Sequence, residues 1–361
     1  MRLPSIFLLT SLMVACFTPA QADTSPTQAA LQKRLVETIL SETILPDHAA
    51  LVTATAVQQR TMRAACETPS PDALSEAQTA FRDLVAVFSR VEMYRFGPGR
   101  EDNRLARLNF WPDRRGLGMR QVRRILEEQD QTATVPATLR GKSVAVQGLS
   151  ALEQVLAEAA DGVIPDFACR YGTAIADVTH ETAEALLNGW RDSQVELLRH
   201  PGPENPIYRD QGEALKALLK AAMEQLAIVG QQKLGRVLRD GPASANPLSA
   251  PFRLSGMTLR AVAVNIAASR AVLAHPDLPG LDDPDLHNLF RELDFELNQS
   301  EDAVRTARDH PGGIAARIAD PATHALLQYA RIPLQAAVDL HDTRLLPALG
   351  LVRGFNALDG D

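Results

Sequence analysis

Ser150 and Glu153 lie three residues apart in the stretch VAVQGLSALEQVL (144–156), and both side chains carry oxygen atoms that could do chemistry. A nucleophilic serine of the G-x-S-x-G type needs a second glycine two residues later, because its strained turn leaves no room for a side chain. Leu152 occupies that position. The stretch therefore does not predict a nucleophilic serine.

The apolar residues of this stretch repeat at helical spacing. They are Ala145, Leu149, Leu152 and Leu156. This period places Ser150 inside a helix and Glu153 on the margin of its apolar stripe, half covered by a neighbouring helix. A carboxylate in that position is either a structural partner of a basic side chain or a ligand for a cation or substrate.

Charge and composition exclude some classes of partner. The 361 residues include 44 Asp and Glu against 37 Lys and Arg, for a formal net charge of −7, and 5% are aromatic. This balance gives no reason to expect nucleic acid or anionic lipid as a partner. Helix-forming residues such as Ala, Leu, Glu, Gln and Arg are abundant, which predicts an all-α protein.

Helical periodicity recurs along the chain, without any sustained alternation typical of a strand. We expect long helices at 27–66, 71–94, 143–160, 166–199, 207–239, 256–274, 284–307 and 322–345. Short connections between such helices are typical of bundles. The predicted organisation is two four-helix-bundle-like domains, at 23–205 and 206–361, with a boundary uncertain by tens of residues.

The N-terminus resembles a targeting segment. An apolar run at 6–15 is followed by the small-residue site AQA (20–22). The run is too short to span a bilayer and predicts a secretory signal peptide at 1–22, with export to a bacterial periplasm. An alternative is a lipobox at MVAC (13–16), in which Cys16 is lipidated and anchors the protein to a membrane. The sequence leaves both forms open.

Cleavage after residue 22 would leave two cysteines, Cys66 and Cys169. In an oxidising compartment they are expected to form a disulfide. The loop that this bond closes has about a hundred residues and predicts about 4–5 kcal/mol of stabilisation. Two buried free thiols are the alternative.

Two further stretches carry candidate ligands. The segment FGPGREDNRLARLNFWPDRRGLG (96–118) interrupts the helical pattern, and Trp111 with Pro112 could anchor it to a bundle while its charges line a cleft. A solvated connector is the alternative. Near the C-terminus, Asp359 and Asp361 offer either oxygen ligands for a hard cation or a frayed tail.

Two other motifs are incomplete. RGKS (140–143) lacks the glycine that a phosphate loop requires, because Pro136 stands at that position. HETAE (180–184) lacks the second histidine of a zinc-binding helix. The eight histidines show no other ligand spacing, so we do not expect a dedicated zinc or copper site.

Four stretches, in this order, together resemble imelysin-like proteins, particularly a branch of periplasmic lipoproteins. They are FGPGREDNRLARLNFWPDRRG (96–116), VQGLSALEQVL (146–156), FRLSGMTLRAVAVNIAA (252–268) and GFNALDGD (354–361). The resemblance implies two four-helix-bundle-like halves with a site near their interface. It also implies a link to bacterial iron uptake and, for the namesake protein, metallopeptidase activity.

The family signature is G-x-H-x-x-E, in which His and Glu on one helix face can reach the same metal ion. The matching residues here are Gly148, Ser150 and Glu153, so a serine replaces the histidine. A hydroxyl is a poor metal ligand and cannot act as a general base near neutral pH. We therefore expect no catalysis, but a binding or accessory protein of iron uptake. A metallopeptidase and a helical protein-interaction module are the alternatives.

The binding cleft expected from the resemblance draws on three of these stretches. Its residues are Asn103, Arg104, Trp111, Asp113, Gly148, Ser150, Glu153, Arg253 and Ser255. Glu153 and Asp113 are the expected metal ligands, unless Glu153 pairs with Arg104 or Arg253. The expected cofactor is iron or another metal ion. The expected partners are iron, an iron complex or envelope proteins of iron uptake, and a membrane only if Cys16 is lipidated.

Overall fold

The computed structural model describes residues 26–274 and 283–351. The predicted signal peptide (1–22), the lipobox alternative at Cys16 and the C-terminal stretch 354–361 with Asp359 and Asp361 lie outside the described residues.

The described ranges contain α-helices, short 3₁₀ and π-helical turns and no strand. The α-helices are α1 (Pro26–Ile39), α2 (Leu45–Glu67), α3 (Pro71–Val91), α4 (Arg104–Leu108), α5 (Leu117–Glu128), α6 (Pro136–Arg140), α7 (Gly148–Ala157), α8 (Asp166–Gly189), α9 (Val195–Arg199), α10 (Gln211–Ile228), α11 (Arg236–Leu238), α12 (Thr258–Leu273), α13 (Pro284–Asp309), α14 (Ile314–Ala319), α15 (Pro321–Leu340) and α16 (Leu346–Ala348). The all-α prediction is confirmed.

Several long helices continue through a π-helical turn. Such turns join α1 to α2 (Leu40–Ile44), α8 to α9 (Trp190–Gln194), α10 to α11 (Val229–Gly235) and α15 to α16 (His341–Leu345). The joined helices match the long helices expected from periodicity. A π-helical turn widens the helix by one residue and often lies at a functional site.

The first group of helices consists of α2, α3, α7 and α8, each packed against two others of the group. The apolar stripe of α3 faces this core through Ala77, Phe81 and Leu84. Its first turn is fixed by Ser70, whose side chain accepts a hydrogen bond from the amide of Ala73 at 3.1 Å.

The second group consists of α10, α12, α13 and α15, again packed in a ring. Three of these helices begin with an aspartate cap. Asp210, Asp283 and Asp320 accept hydrogen bonds from amides of the first turns of α10, α13 and α15. Each cap satisfies amides that have no partner within the helix.

The two groups share one core. Helix α3 packs against α12, α1 packs against α10, and the buried apolar side chains of both groups form a continuous cluster. The predicted domain division at 205/206 stays a prediction. Within the described ranges, no helix combines the length and apolarity needed to cross a membrane.

A disulfide joins the first group internally. Cys66 of α2 is bonded to Cys169 of α8, with their Cα atoms 5.6 Å apart, as the sequence predicted. The same two helices carry an ion pair between Arg63 and Asp177 at 2.7 Å. The bond thus holds the long helices α2 and α8 side by side.

Candidate binding cleft

A cavity of about 640 Å³ lies where the segment 110–119, helix α7 and the segment 246–254 meet. It is bounded by α7 of the first group and by the connection between α10 and α12 of the second group. Five of the residues expected in the cleft line it, namely Trp111, Asp113, Ser150, Glu153 and Arg253. The structure therefore brings together the signature helix, the charged loop and the segment before α12.

Helix α7 begins at Gly148 because only glycine fits there. Its φ is +66°, and a Cβ atom would lie 2.2 Å from the carbonyl oxygen of Arg107 and 2.3 Å from that of Leu108. The helix expected from residue 143 therefore starts five residues later. Gly148 does not line the cavity, but its close approach to α4 sets where Ser150 and Glu153 lie.

The side chain of Gln147 fixes the backbone just before this helix, a role that was not predicted from the sequence. Its buried amide donates to the carbonyls of Leu139 and Lys142, each at 2.9 Å, and its oxygen accepts from Arg107 at 2.8 Å. The amide thus satisfies several buried backbone groups at once. No sequence signal marks this role beyond a polar residue before a glycine.

Ser150 is held by the neighbouring loop. Its hydroxyl donates to Oδ1 of Asn109 at 2.6 Å and lies 3.2 Å from the carbonyl oxygen of Phe110. A serine nucleophile needs an adjacent general base. No histidine is among the described residues that line the cavity. The hydroxyl therefore connects α7 to the loop, which its helical spacing could not reveal.

Glu153 is buried rather than half covered, with 8% of its surface exposed. Its Oε1 accepts hydrogen bonds from the amide of Ser255 at 2.9 Å and from the hydroxyl of the same residue at 2.6 Å. Burial raises the pKa of Glu153, although these hydrogen bonds and the charge of Arg253 lower it. Ser255 thus reaches the site through Glu153 without lining the cavity.

Asp113 lines the cavity but also caps α5. Its Oδ1 accepts from the amide of Leu117 at 2.7 Å, and its Oδ2 accepts from the amides of Gly118 and Met119 at 2.9 and 3.2 Å. These are amides of the first helical turn, which have no partner within the helix. Both carboxylate oxygens are therefore engaged.

The donor set, as it is arranged here, does not fit a resident metal ion. The part of the chain that the structure describes contains no group of three His, Cys, Asp or Glu side chains placed to hold one. A metal bound by Glu153 and Asp113 would have to displace hydrogen bonds from Ser255 or from the start of α5. Metal ligation by these two residues stays a prediction.

Two residues expected in the cleft lie elsewhere. Asn103 lines a separate cavity of about 510 Å³, together with Glu92 and Arg95. Arg104 pairs with Glu101 at 2.7 Å, one turn earlier in the chain. The loop thus places Asp113 at one cavity and Asn103 at the other, whereas Arg104 lines neither.

Trp111 lies between these cavities and lines both. Beneath it is Lys233, whose Nζ atom is 5.5 Å from the centroid of the Trp111 ring. Lys233 lies in the π-helical turn after α10 and is 1% exposed. Its ammonium donates to Glu92 and to Oδ1 of Asn265, the latter at 2.7 Å. No sequence feature indicated this support.

The partners of Lys233 form a closed polar network. The amide of Asn265 donates to Glu92 at 2.6 Å and to the carbonyl of Ser89 at 2.7 Å. Burial alone would raise the pKa of Glu92, but the charges of Lys233 and Arg95, together with the hydrogen bonds from Lys233 and Asn265, outweigh it and lower that pKa. A buried ion pair between the two helix groups thus supports the Trp111 wall of the cleft.

Known proteins resemble this chain over most of its length. The family model described as Imelysin matches residues 44–341. The structure of an imelysin-like protein from Psychrobacter arcticum 273-4 matches with a TM-score of 0.73 at 20% identity, over 91% of this chain and 98% of that one. A structure described as an iron-regulated protein A precursor from Parabacteroides distasonis ATCC 8503 matches with a TM-score of 0.71 at 15% identity, over 89% and 96%. No curated protein gives a significant match.

Proposed function

Since the chain belongs to the Imelysin family, we propose that it is a non-catalytic binding protein of bacterial iron uptake that holds iron or an iron complex in the cavity beside Trp111. One observation carries the proposal. The signature residues Ser150 and Glu153 line a cavity large enough for a small molecule, while their oxygens are engaged by protein donors and acceptors.

A binding role agrees better with this site than a peptidase role. Metal-dependent peptide hydrolysis needs a metal-activated water held by several protein ligands. Here Ser150 replaces the histidine of the signature, and Asp113 caps a helix. We expect no proteolysis above background when zinc, iron or copper salts are supplied. Metal-dependent cleavage of a peptide library that is lost in Glu153→Ala would contradict this.

The link to iron and to the periplasm has separate support. The relative from Parabacteroides distasonis, which shares this fold, is described as an iron-regulated precursor. The pattern at 1–22 is typical of exported proteins. We propose a periplasmic location, and mass spectrometry of the mature N-terminus distinguishes a soluble form from one lipidated at Cys16.

Calorimetric titration tests the binding role. Mature, metal-stripped protein is titrated with ferrous iron, with ferric citrate and with a copper salt. We expect saturable binding of at least one iron form, which is weakened in Trp111→Ala, a change in the cavity wall, and retained in Ile207→Ala, a change at an exposed apolar residue that does not line the cavity. Absence of binding for every iron form would contradict the proposal.

A further inference from the structure

The cavity beside Trp111 is lined by more basic than acidic side chains. Four arginines line it, at Arg114, Arg236, Arg239 and Arg253. In the described ranges, none of the four forms an ion pair with an acid. The guanidinium of Arg253 makes a contact with the sulfur of Met119 at 3.9 Å. Their charges are thus open to a ligand.

Among the described residues, two acids line the same cavity, Asp113 and Glu153, and both are already hydrogen-bonded. Asp113 accepts hydrogen bonds from three amides of α5, and Glu153 accepts hydrogen bonds from the amide and the hydroxyl of Ser255. A bare cation entering the cavity would therefore meet several guanidinium charges, and neither of these two carboxylates is free to offset them. At separations of a few ångströms this repulsion is substantial.

The same arginines suit an anion with several acidic groups. A guanidinium presents paired N–H donors that match the two oxygens of a carboxylate. Arg236 begins α11 and Arg239 directly follows its last residue, whereas Arg114 and Arg253 come from the two loops that border the cavity. Arginine side chains would thus contact the acidic groups of such a ligand from more than one side of the cavity.

The rest of the cavity suits the carbon skeleton of such a ligand. Trp111, Pro112 and Phe252 supply an apolar wall. The volume of about 640 Å³ lies in the range of small-molecule sites. A compact organic polyacid fits both the size and the chemistry.

We propose that the cavity recognises a polycarboxylate anion, so that iron reaches this protein already enclosed in an anionic chelate. The inference rests on the proposed function, because it identifies the class of ligand for the same cavity. The metal-free polyacid and its iron complex share this chemistry, and the experiment separates them.

Isothermal titration calorimetry of the mature protein uses three probes: citrate, ferric citrate and ferrous sulfate without chelator. The variant Arg236→Gln/Arg239→Gln removes two charges from the cavity. Its control, Arg123→Gln/Arg124→Gln, removes two exposed charges from α5 that do not line it. We expect the cavity variant to bind ferric citrate at least about tenfold more weakly, because charge-assisted hydrogen bonds are lost, and the control to bind as the wild type does.

The probes give distinct outcomes. Tighter binding of ferric citrate than of citrate, with ferrous sulfate weakest, supports an anionic iron chelate as ligand. Equal binding of citrate and ferric citrate supports the polycarboxylate site but shows that it does not select for iron. Saturable binding of ferrous sulfate alone, unchanged in the cavity variant, overturns this inference and leaves the proposed function intact. No binding of any probe overturns both.

Discussion

The pKa of Glu153 is set by the residues that surround its carboxyl group. Burial disfavours its charge, while Ser255 and Arg253 favour it, and the balance leaves its pKa raised above the ordinary value of 4.5. The folded protein therefore binds the Glu153 proton up to a higher pH than the unfolded chain does. Between 4.5 and the raised pKa, this group makes the free energy of unfolding fall as the pH rises.

Replacing Glu153 by glutamine removes this titration and keeps an oxygen that can accept both hydrogen bonds from Ser255. We expect Glu153→Gln to gain stability relative to the wild type as the pH rises from 4 to 7. The measurement is urea unfolding at several pH values. A stability difference that is constant over this range, or that favours the wild type increasingly with pH, would contradict the burial argument.

Lys233 offers a second test at the scale of single residues. Lys233→Met removes the buried cation beside Glu92 and leaves only the partly exposed Arg95, 3.7 Å away, which we expect to lower the free energy of unfolding by about 3–5 kcal/mol. In Glu92→Gln the same lysine replacement should cost much less, because no buried charge remains unpaired. Denaturant unfolding of the four variants forms a double-mutant cycle. Equal effects in both backgrounds would show that the pair is not coupled.

Few of these side-chain contacts could be predicted from the sequence. The period of α7 correctly placed Ser150 and Glu153 on one helix, but it could not reveal Asn109 and Ser255 as their partners, because these contacts span 41 and 102 residues. The sequence around Lys233 did not indicate that this lysine is buried either. A lysine in a helical pattern is ordinarily exposed, and only the packing of three helices shows that this one is buried.

At the scale of elements, α7 is positioned by the close approach of its first residue to α4. The sequence predicted a helix here but placed its start in the preceding 3₁₀ turn. Periodicity reports the face of a helix, whereas its first residue depends on backbone contacts made elsewhere in the chain. The segment after α3 shows a related limit, because α4 has five residues and buries only Leu108, which gives no clear period.

Gly148→Ala tests the start of α7. The new methyl group would overlap the carbonyl oxygens of Arg107 and Leu108, and the left-handed backbone alone costs a non-glycine residue about 1–2 kcal/mol. We expect a loss of stability of at least about 2 kcal/mol by urea unfolding. Gly202→Ala is the matched control, because a Cβ there meets nothing within 4 Å. Equal stabilities of the two variants would contradict this account of α7.

The disulfide between α2 and α8 is an element-scale feature that the sequence did predict, from two cysteines in an exported chain. The bond closes a loop of 103 residues, so replacing both Cys66 and Cys169 by serine should destabilise the protein by about 4–5 kcal/mol. Thermal and urea unfolding of the double variant, beside the oxidised wild type, measure this. A change below 1 kcal/mol would show that packing of α2 against α8 suffices without the bond.

At the scale of the whole molecule, two rings of four helices share a core and leave a cleft where their connecting segments meet. The helical class and most long helices followed from periodicity, because amphipathic stripes are a local property. The separation of Asn103 from the cavity that Asp113 lines did not, because it depends on how the two rings pack. The cleft supplies arginines and an apolar wall rather than a ready set of metal ligands.

The emission of Trp111 tests most directly whether the ligand occupies this cleft. The chain has two tryptophans, and Trp190 is fully buried in the core, so a ligand in the cavity should perturb Trp111. Gallium(III) citrate serves as a redox-inert substitute for the ferric complex. We predict a saturable change in emission that follows calorimetric binding and is absent in Trp111→Phe. Calorimetric binding without any change in Trp111 emission would place the ligand elsewhere and contradict the account.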